Sequence, residues 1–192
     1  MNLERFCIRF AARPDQQVTD ETLLIPIFHD WIRLQKLQGT LIDVADYRHV
    51  PEGPGVMLIS HEINYCMDHL GGHLGLSAQR KLGSEADSQA RILSLVQAAA
   101  RFASLLEADH RISGAVRFSG ESFMYMANDR LQAPNTEETF TALKPDLEAV
   151  AAVLYPDRAV VVERVNNDPR DRLAIQVRAE GSVEIAALAI HP

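Results

Sequence analysis

The feature that most constrains the fold is a run of closely spaced strand patterns in the first half of the chain. Residues 41–49, 56–60 and 65–70 each have the composition of a strand, and a further strand pattern follows at 74–81. Parallel strands need crossover connections of a dozen or more residues, and these connections are too short for that. We therefore expect antiparallel neighbours. The segment 56–60 (VMLIS) is apolar on both faces, which favours a central strand covered on both sides.

The rest of the chain alternates between helix and strand patterns. Residues 3–11 alternate in the manner of a half-buried strand. Thr19 caps a predicted helix that runs to about Leu37, in which Pro26 should cause a kink or a restart. Ser84 and Asp87 have the spacing of a capping box at the start of a long helix reaching about residue 110. The remaining predicted elements are a strand at 115–126, a helix from Thr136 to about Tyr155, and strands at 159–165, 172–179 and 182–190.

This order of elements occurs twice. Shifting the chain by 117 positions, without a gap, aligns caps, turns and strands and also several identical residues. The identities include Phe6 with Phe123, Arg13 with Arg130, Thr19 with Thr136, Glu21 with Glu138, Thr22 with Thr139, Leu37 with Leu154 and Val44 with Val161. We interpret the chain as an α+β protein with a duplicated βαβββ unit and mainly antiparallel sheet. The first unit occupies residues 1–83, a connecting helix 84–112 and the second unit 113–192, all packed as one globular domain.

A second interpretation fits the same pattern. Strands 3–11, 41–49, 56–62 and 115–126 with helices 20–37 and 84–108 give a ferredoxin-like βαββαβ order, followed by an αβββ tail. The two interpretations differ in the neighbours they give to strand 115–126, and the sequence leaves both open.

Composition and charge restrict the partners. The chain has 192 residues, a net charge of −7 and a pI near 5.5, and no section of it is basic, which argues against nucleic acid. Cys7 and Cys66 fit no zinc or redox spacing, so we expect reduced thiols in the core. No uncharged apolar run approaches the roughly 20 residues of a membrane span. We expect a soluble cytoplasmic protein that forms a homodimer or another homo-oligomer.

The richest chemistry lies in residues 53–73 (GPGVMLISHEINYCMDHLGGH). This stretch combines an apolar strand with three of the seven histidines, two carboxylates and a cysteine, whereas the second unit, residues 113–192, has one histidine, at the terminus. We expect a binding site here, assisted by two histidines from neighbouring elements. The candidate binding residues are His61, Glu62, Tyr65, Asp68, His69, His73, His29 and His49.

A divalent transition metal is a candidate cofactor. His61, Cys66, Asp68 and His69 carry side chains that bind zinc or iron. A two-residue turn at Ile63 and Asn64 would place His61 opposite Cys66, although a β-branched residue fits such a turn poorly and a slip of one residue would exchange the faces. Hydrogen-bonded histidines at a sheet end, or a metal-free pocket lined by His61, Glu62 and Tyr65, explain the cluster equally well.

No motif places the chain in a family. The order βαβββ in two copies resembles that of the glyoxalase and bleomycin-resistance superfamily, which implies metal-dependent chemistry on small molecules. The strand at 3–11 lacks the histidine that commonly binds the metal in that group. We expect a ligand-binding or protein-interaction module whose partner is a small molecule or a second copy of the chain. The alternative is a small-molecule enzyme with its site between His61 and His73.

Overall fold

The computed structural model describes residues 3–14, 20–51, 53–82, 86–112 and 114–189, which form an α+β fold with one eight-stranded sheet and four α-helices. The strands are β1 (Phe6–Ala11), β2 (Leu41–Asp46), β3 (Val56–Ser60), β4 (Ile63–Leu70), β5 (His73–Arg80), β6 (Ser122–Ala127), β7 (Val160–Arg164) and β8 (Ala174–Ala179). The helices are α1 (Leu24–Leu34), α2 (Ser88–Ala108), α3 (Glu137–Leu154) and α4 (Ile185–Leu188).

Every pairing between neighbouring strands is antiparallel. The order across the sheet is β2-β3-β4-β5-β1-β6-β8-β7, so β1 lies between β5 and β6. The expectation of antiparallel neighbours from short connections is confirmed for β2 to β5. The predicted strand 115–126 is shorter than expected and pairs with β1 and β8.

The sheet packs its helices against one face. Phe6, Ile8 and Phe10 of β1 belong to the hydrophobic core, together with residues of α1, α2, α3 and α4. Side chains along a strand alternate between faces, so Cys7 and Arg9 point to the opposite side, and neither belongs to that core. We call this opposite side the helix-free face.

Helix boundaries follow local capping. Asp20 accepts a hydrogen bond from the Thr22 amide at the start of a short 3₁₀ turn, after which the chain enters α1. Pro26 lies in the first turn of α1, where its missing amide hydrogen is tolerated, so α1 does not restart at this residue. Thr136 caps α3 as predicted. The cap of α2 is Asp87, which the prediction had placed three residues after the cap. The predicted caps Thr19 and Ser84 lie outside the described residues.

Two predictions about the elements are wrong. The described part of the predicted strand 182–190, residues 182–189, does not form a strand, because Ile185 and Leu188 are buried three positions apart on α4, which contacts α2. Four strands follow α1 and two follow α3, so the prediction of three strands after the helix in each unit is wrong. The duplication itself stays a prediction.

The β3–β4 hairpin also differs from the expected one. Its turn is at His61 and Glu62, and Cys66 pairs with Met57 rather than facing His61. The Ser60 hydroxyl accepts a hydrogen bond from the Ile63 amide at 2.9 Å and donates one to the Ile63 carbonyl at 2.5 Å. Ile63 is thereby held in extended backbone, the conformation that suits a β-branched side chain.

The apolar segment 56–60 is not a central strand. As β3, it lies second from the edge of the sheet. Val56 and Leu58 are buried in the core, but Met57 and Ile59 are only half-buried on the helix-free face. Apolar character on both faces therefore reflects a partly covered surface rather than two layers of helices.

None of the helices in the described part of the chain has both the length and the apolar character that a membrane span needs.

The connection between β2 and β3 is held close to β4. At Gly55 the backbone φ is +66°, and a Cβ there would lie 1.8 Å from the Met67 carbonyl oxygen. Because Tyr47 donates its amide hydrogen to the Gly55 carbonyl at 2.8 Å, the two ends of this connection are joined. Only a glycine allows so close an approach in this conformation.

Replacing Gly55 with alanine should therefore move this connection away from β4. Gly71 is a matched control, because its φ is +62° and a Cβ there meets no atom within 4 Å. We expect Gly71→Ala to cost about 1 kcal/mol for the left-handed backbone. Gly55→Ala should cost about 2 kcal/mol more because of the clash. Urea denaturation of both variants measures the difference, and equal costs would contradict the described packing.

Candidate functional site

A cavity of about 710 Å³ lies on the helix-free face. Its floor consists of side chains from β1, β4, β5 and β6 that point away from the helices: Cys7, Cys66, Ser77, Gln79 and Met126. The β2–β3 connection, which includes Tyr47 and Arg48, borders one end. Asn128 and Arg172 lie toward the opposite end, because Asn128 follows β6 where that strand pairs with the start of β1.

A buried ion pair crosses the sheet beside the cavity. Arg9, which is 5% exposed, donates from Nε to Asp68 Oδ1 at 2.7 Å and from Nη2 to the His73 carbonyl at 2.6 Å. The Ser77 hydroxyl donates to the other oxygen of Asp68. A Cβ at Gly75 would lie 2.4 Å from the guanidinium carbon of Arg9, so glycine provides the space for this group. The network satisfies the carboxylate and leaves this part of the cavity floor electrically balanced.

The two thiols of the cavity are neutral near physiological pH. Burial raises the pKa of Cys7 to about 11 and that of Cys66 to about 12. Cys7 pairs with Gln79 and Cys66 with Ser77, so β5 separates their strands by about 10 Å. A disulfide requires Cα atoms within about 7 Å of each other. Cys7 and Cys66 are too far apart to form one, and both are free thiols. As neutral groups they contribute weakly polar surface and little nucleophilicity.

One border of the cavity contains a histidine paired with a carboxylate. His69 Nε2 lies 2.6 Å from Oε1 of Glu21, and both residues line the cavity. When Glu21 is ionised, Nε2 donates the proton and Nδ1 remains an acceptor. This pair joins β4 to the 3₁₀ turn that precedes α1. It is the arrangement in the cavity best suited to proton transfer.

Arg48, at the same border, is already neutralised. Its guanidinium donates to both oxygens of Asp46, at 2.9 and 2.7 Å. Hydrogen bonds from Arg48 lower the pKa of this carboxyl to about 2. Arg48 is therefore a less effective site for an anion than an unpaired arginine.

Arg172 has a different environment. Its Nη1 donates to Asn128 Oδ1 at 2.9 Å, and the same amide oxygen lies 4.0 Å from Cys7 Sγ. Within the described residues, no carboxylate forms an ion pair with Arg172. Because the asparagine partner is neutral, the charge of this guanidinium is not compensated locally.

The structure brings together only some of the predicted site residues. Asp68 and His69 line the cavity, and Cys66 lies on its floor. Tyr65 is in the core, where its ring stacks on Phe102 of α2 with centroids 4.7 Å apart. The other predicted residues do not line the cavity: His61 and Glu62 are exposed in the β3–β4 turn, His73 is exposed at the start of β5, His29 is exposed on α1, and His49 is exposed beside Tyr47.

The four candidate metal ligands are not grouped. His61 is seven residues along the hairpin from Asp68, a distance of about 23 Å in extended chain. Cys66 and Asp68 point to the helix-free face, whereas the imidazole of His69, near the end of β4, bonds to Glu21 at the border of the cavity. Across the described residues, no three histidine, cysteine, aspartate or glutamate side chains are placed to hold a metal ion together.

Sequence reasoning missed several cavity residues. Cys7 on the floor and Arg9 beside the cavity share one side of the first strand, and the alternation of residues 3–11 is the signal that could have identified them. Ser77 and Gln79 carry the same signal on β5. Asn128 and Arg172 have no local pattern, because they reach the cavity only through the pairing of β6 with β1 and β8.

Comparison of the chain with protein-family models, curated proteins and solved structures gives no match.

The protonated state of the thiols predicts slow alkylation. At about pH 8, a thiol with its ordinary pKa of 9.0 is about 10% thiolate, whereas a pKa of about 11 leaves about 0.1%. We expect iodoacetamide to modify Cys7 in the folded protein about 100-fold more slowly than in the urea-unfolded chain, and Cys66 more slowly still. Mass spectrometry of quenched samples measures both rates, and equal rates in the two states would contradict buried, neutral thiols.

Proposed function

We propose that the protein binds a small organic molecule in the cavity on the helix-free face. The observation that carries this proposal is the cavity itself, because its volume of about 710 Å³ lies within the usual range of ligand pockets. Its lining combines thiol, thioether and aromatic surface with a few polar groups. The Arg9–Asp68 network supports a floor that is formed before any ligand arrives.

The same lining favours binding over nucleophilic catalysis. Cys7 and Cys66 are held as neutral thiols by their raised pKa values. The Ser77 hydroxyl donates to Asp68, a carboxylate that already forms an ion pair with Arg9. None of these three groups has an adjacent free base, which an activated nucleophile requires. A non-covalent ligand is the simplest occupant.

Filling the cavity tests the proposal. N-phenyl-1-naphthylamine, an uncharged fluorescent probe, should bind the native protein and be weakened about tenfold or more by Gln79→Trp, because the new ring occupies the floor. Gln176→Trp is the matched control, since Gln176 of β8 is half-buried on the same face but does not line the cavity. Fluorescence titration and thermal denaturation of both variants separate lost binding from lost folding.

Two results of this titration would overturn the proposal. One is a native protein that does not bind the probe. The other is an equal loss of affinity for the probe in both variants, while each variant still unfolds cooperatively on heating.

A second candidate function rests on the His69–Glu21 pair. A carboxylate that orients an imidazole beside a cavity is suited to general-base catalysis, in which His69 removes a proton from a water molecule that attacks a bound substrate. The carboxylate stabilises the imidazolium formed in that step. In such an enzyme His69 would be the general base, and Glu21 would act indirectly by orienting His69 through their hydrogen bond.

Hydrolysis of p-nitrophenyl acetate tests this candidate. If His69 acts as the base, His69→Ala should lower the rate above buffer by about 100-fold, and Glu21→Gln should lower it less. His29→Ala is the control, because His29 is an exposed histidine that does not line the cavity. Release of p-nitrophenolate measures the rates. Identical rates for the native protein and His69→Ala would exclude this role.

A further inference from the structure

We propose that Arg172 binds the carboxylate of a small ligand whose apolar part lies along the cavity floor. This inference rests on the proposed binding function and specifies the chemical class of the ligand. It depends on the charge environment of three arginines and on the hydrogen bonds that each of them makes.

The arginines at the cavity differ in what compensates them. Arg9 and Arg48 each contact a carboxylate oxygen at 2.7 Å, so their charges are paired within the protein. Arg172 contacts the neutral amide of Asn128 instead, and no carboxylate pairs with it in the part of the chain that the structure describes. Arg172 is therefore the cavity arginine whose charge is available to a ligand.

The geometry of the guanidinium indicates a carboxylate. Nη1 is used by Asn128, whereas Nε and Nη2 make no hydrogen bond with a described residue. This edge of the guanidinium presents two parallel donors, which match the two oxygens of a carboxylate. Asn128 holds the arginine from the opposite edge and acts as a positioning residue.

The surroundings supply the apolar part of the site. Cys7 lies beside Asn128, and Met126 lies on the adjacent strand, so a thiol and a thioether lead from Arg172 along the floor. The positive charge reaches this floor, because Arg172 opposes the rise in the pKa of Cys7 that burial causes. A ligand with an acid group and a short apolar chain or ring matches both features.

A general electrostatic attraction of anions to the protein would not explain a preference for an acid over its amide. The chain has a net charge of −7, so its overall field repels an anionic ligand. A preference for an acid over its uncharged amide would therefore report the local environment of Arg172.

Displacement of N-phenyl-1-naphthylamine by matched acid and amide pairs tests the inference. The pairs are 4-phenylbutyrate with 4-phenylbutyramide and octanoate with octanamide. In the native protein the acid of at least one pair should bind about tenfold more tightly than its amide, as expected for a charge-assisted bidentate contact that is partly exposed. Arg172→Gln should bring this ratio close to one, with the acid and the amide each compared by displacement of the probe at the affinity measured for that variant.

Two further variants sharpen the test. Asn128→Asp keeps Arg172 but supplies it with an internal carboxylate, so the acid preference should also be lost. Arg178→Gln is the control, because Arg178 is an exposed arginine of β8 on the helix-free face that does not line the cavity. It removes the same charge and should retain the tenfold ratio.

The outcomes distinguish this inference from the proposed function. Absence of probe binding overturns both. Probe binding with an acid-to-amide ratio near one in the native protein overturns the carboxylate site alone, and so does equal loss of the ratio in Arg172→Gln and Arg178→Gln.

Discussion

The alternation of side chains along β1 is the constraint on which the rest of the structure depends. Phe6, Ile8 and Phe10 enter the core beneath the helices, so Cys7 and Arg9 must face the other side of the sheet. Since β1 lies between β5 and β6, that other side is the middle of a broad surface rather than its edge. A charged side chain in such a position needs a partner, and Asp68 of β4 provides it from two strands away.

This ion pair connects the fold to the cavity. Arg9 reaches over β5 at Gly75, where the missing Cβ leaves room for its guanidinium. Its bonds to Asp68 and to the His73 carbonyl tie β1 and β4 together across the intervening strand. The floor beside them is thus rigid and neutral, and the chemistry that remains for a ligand is found at the borders of the cavity.

Local signals in the sequence predicted much of the fold. The cap at Thr136 and the short connections between strands identified a helix and antiparallel neighbours, because these features depend on a few adjacent residues. The β3–β4 register was wrong because the side chain of Ser60 fixes the turn, an interaction that alternation does not reveal. Residues 182–189 were misread as part of a strand because packing of α4 against α2 decides their conformation.

The site was less predictable because tertiary contacts, and not local sequence signals, bring its residues together. Histidine-rich composition identified Asp68 and His69, but it also selected His61 and Glu62, which the hairpin carries away from the cavity. The residues that define the site come from four strands and four connections. Their proximity is a property of strand order, which a single sequence does not encode in any short window.

Charge distribution decides which border of the cavity should select the ligand. At one border, Glu21 faces His69 and Asp46 faces Arg48, so each charged group has a partner before a ligand arrives. At the opposite border the partner of Arg172 is an amide, and its charge remains uncompensated. At the first border a ligand carboxylate would only take the place of a carboxylate that the protein already supplies, so the ligand would gain little binding free energy. At the second border it would form an ion pair with Arg172 that the protein lacks without a ligand. Selectivity for an acid should therefore originate at Arg172, with the thiol and thioether floor contributing affinity through apolar contact.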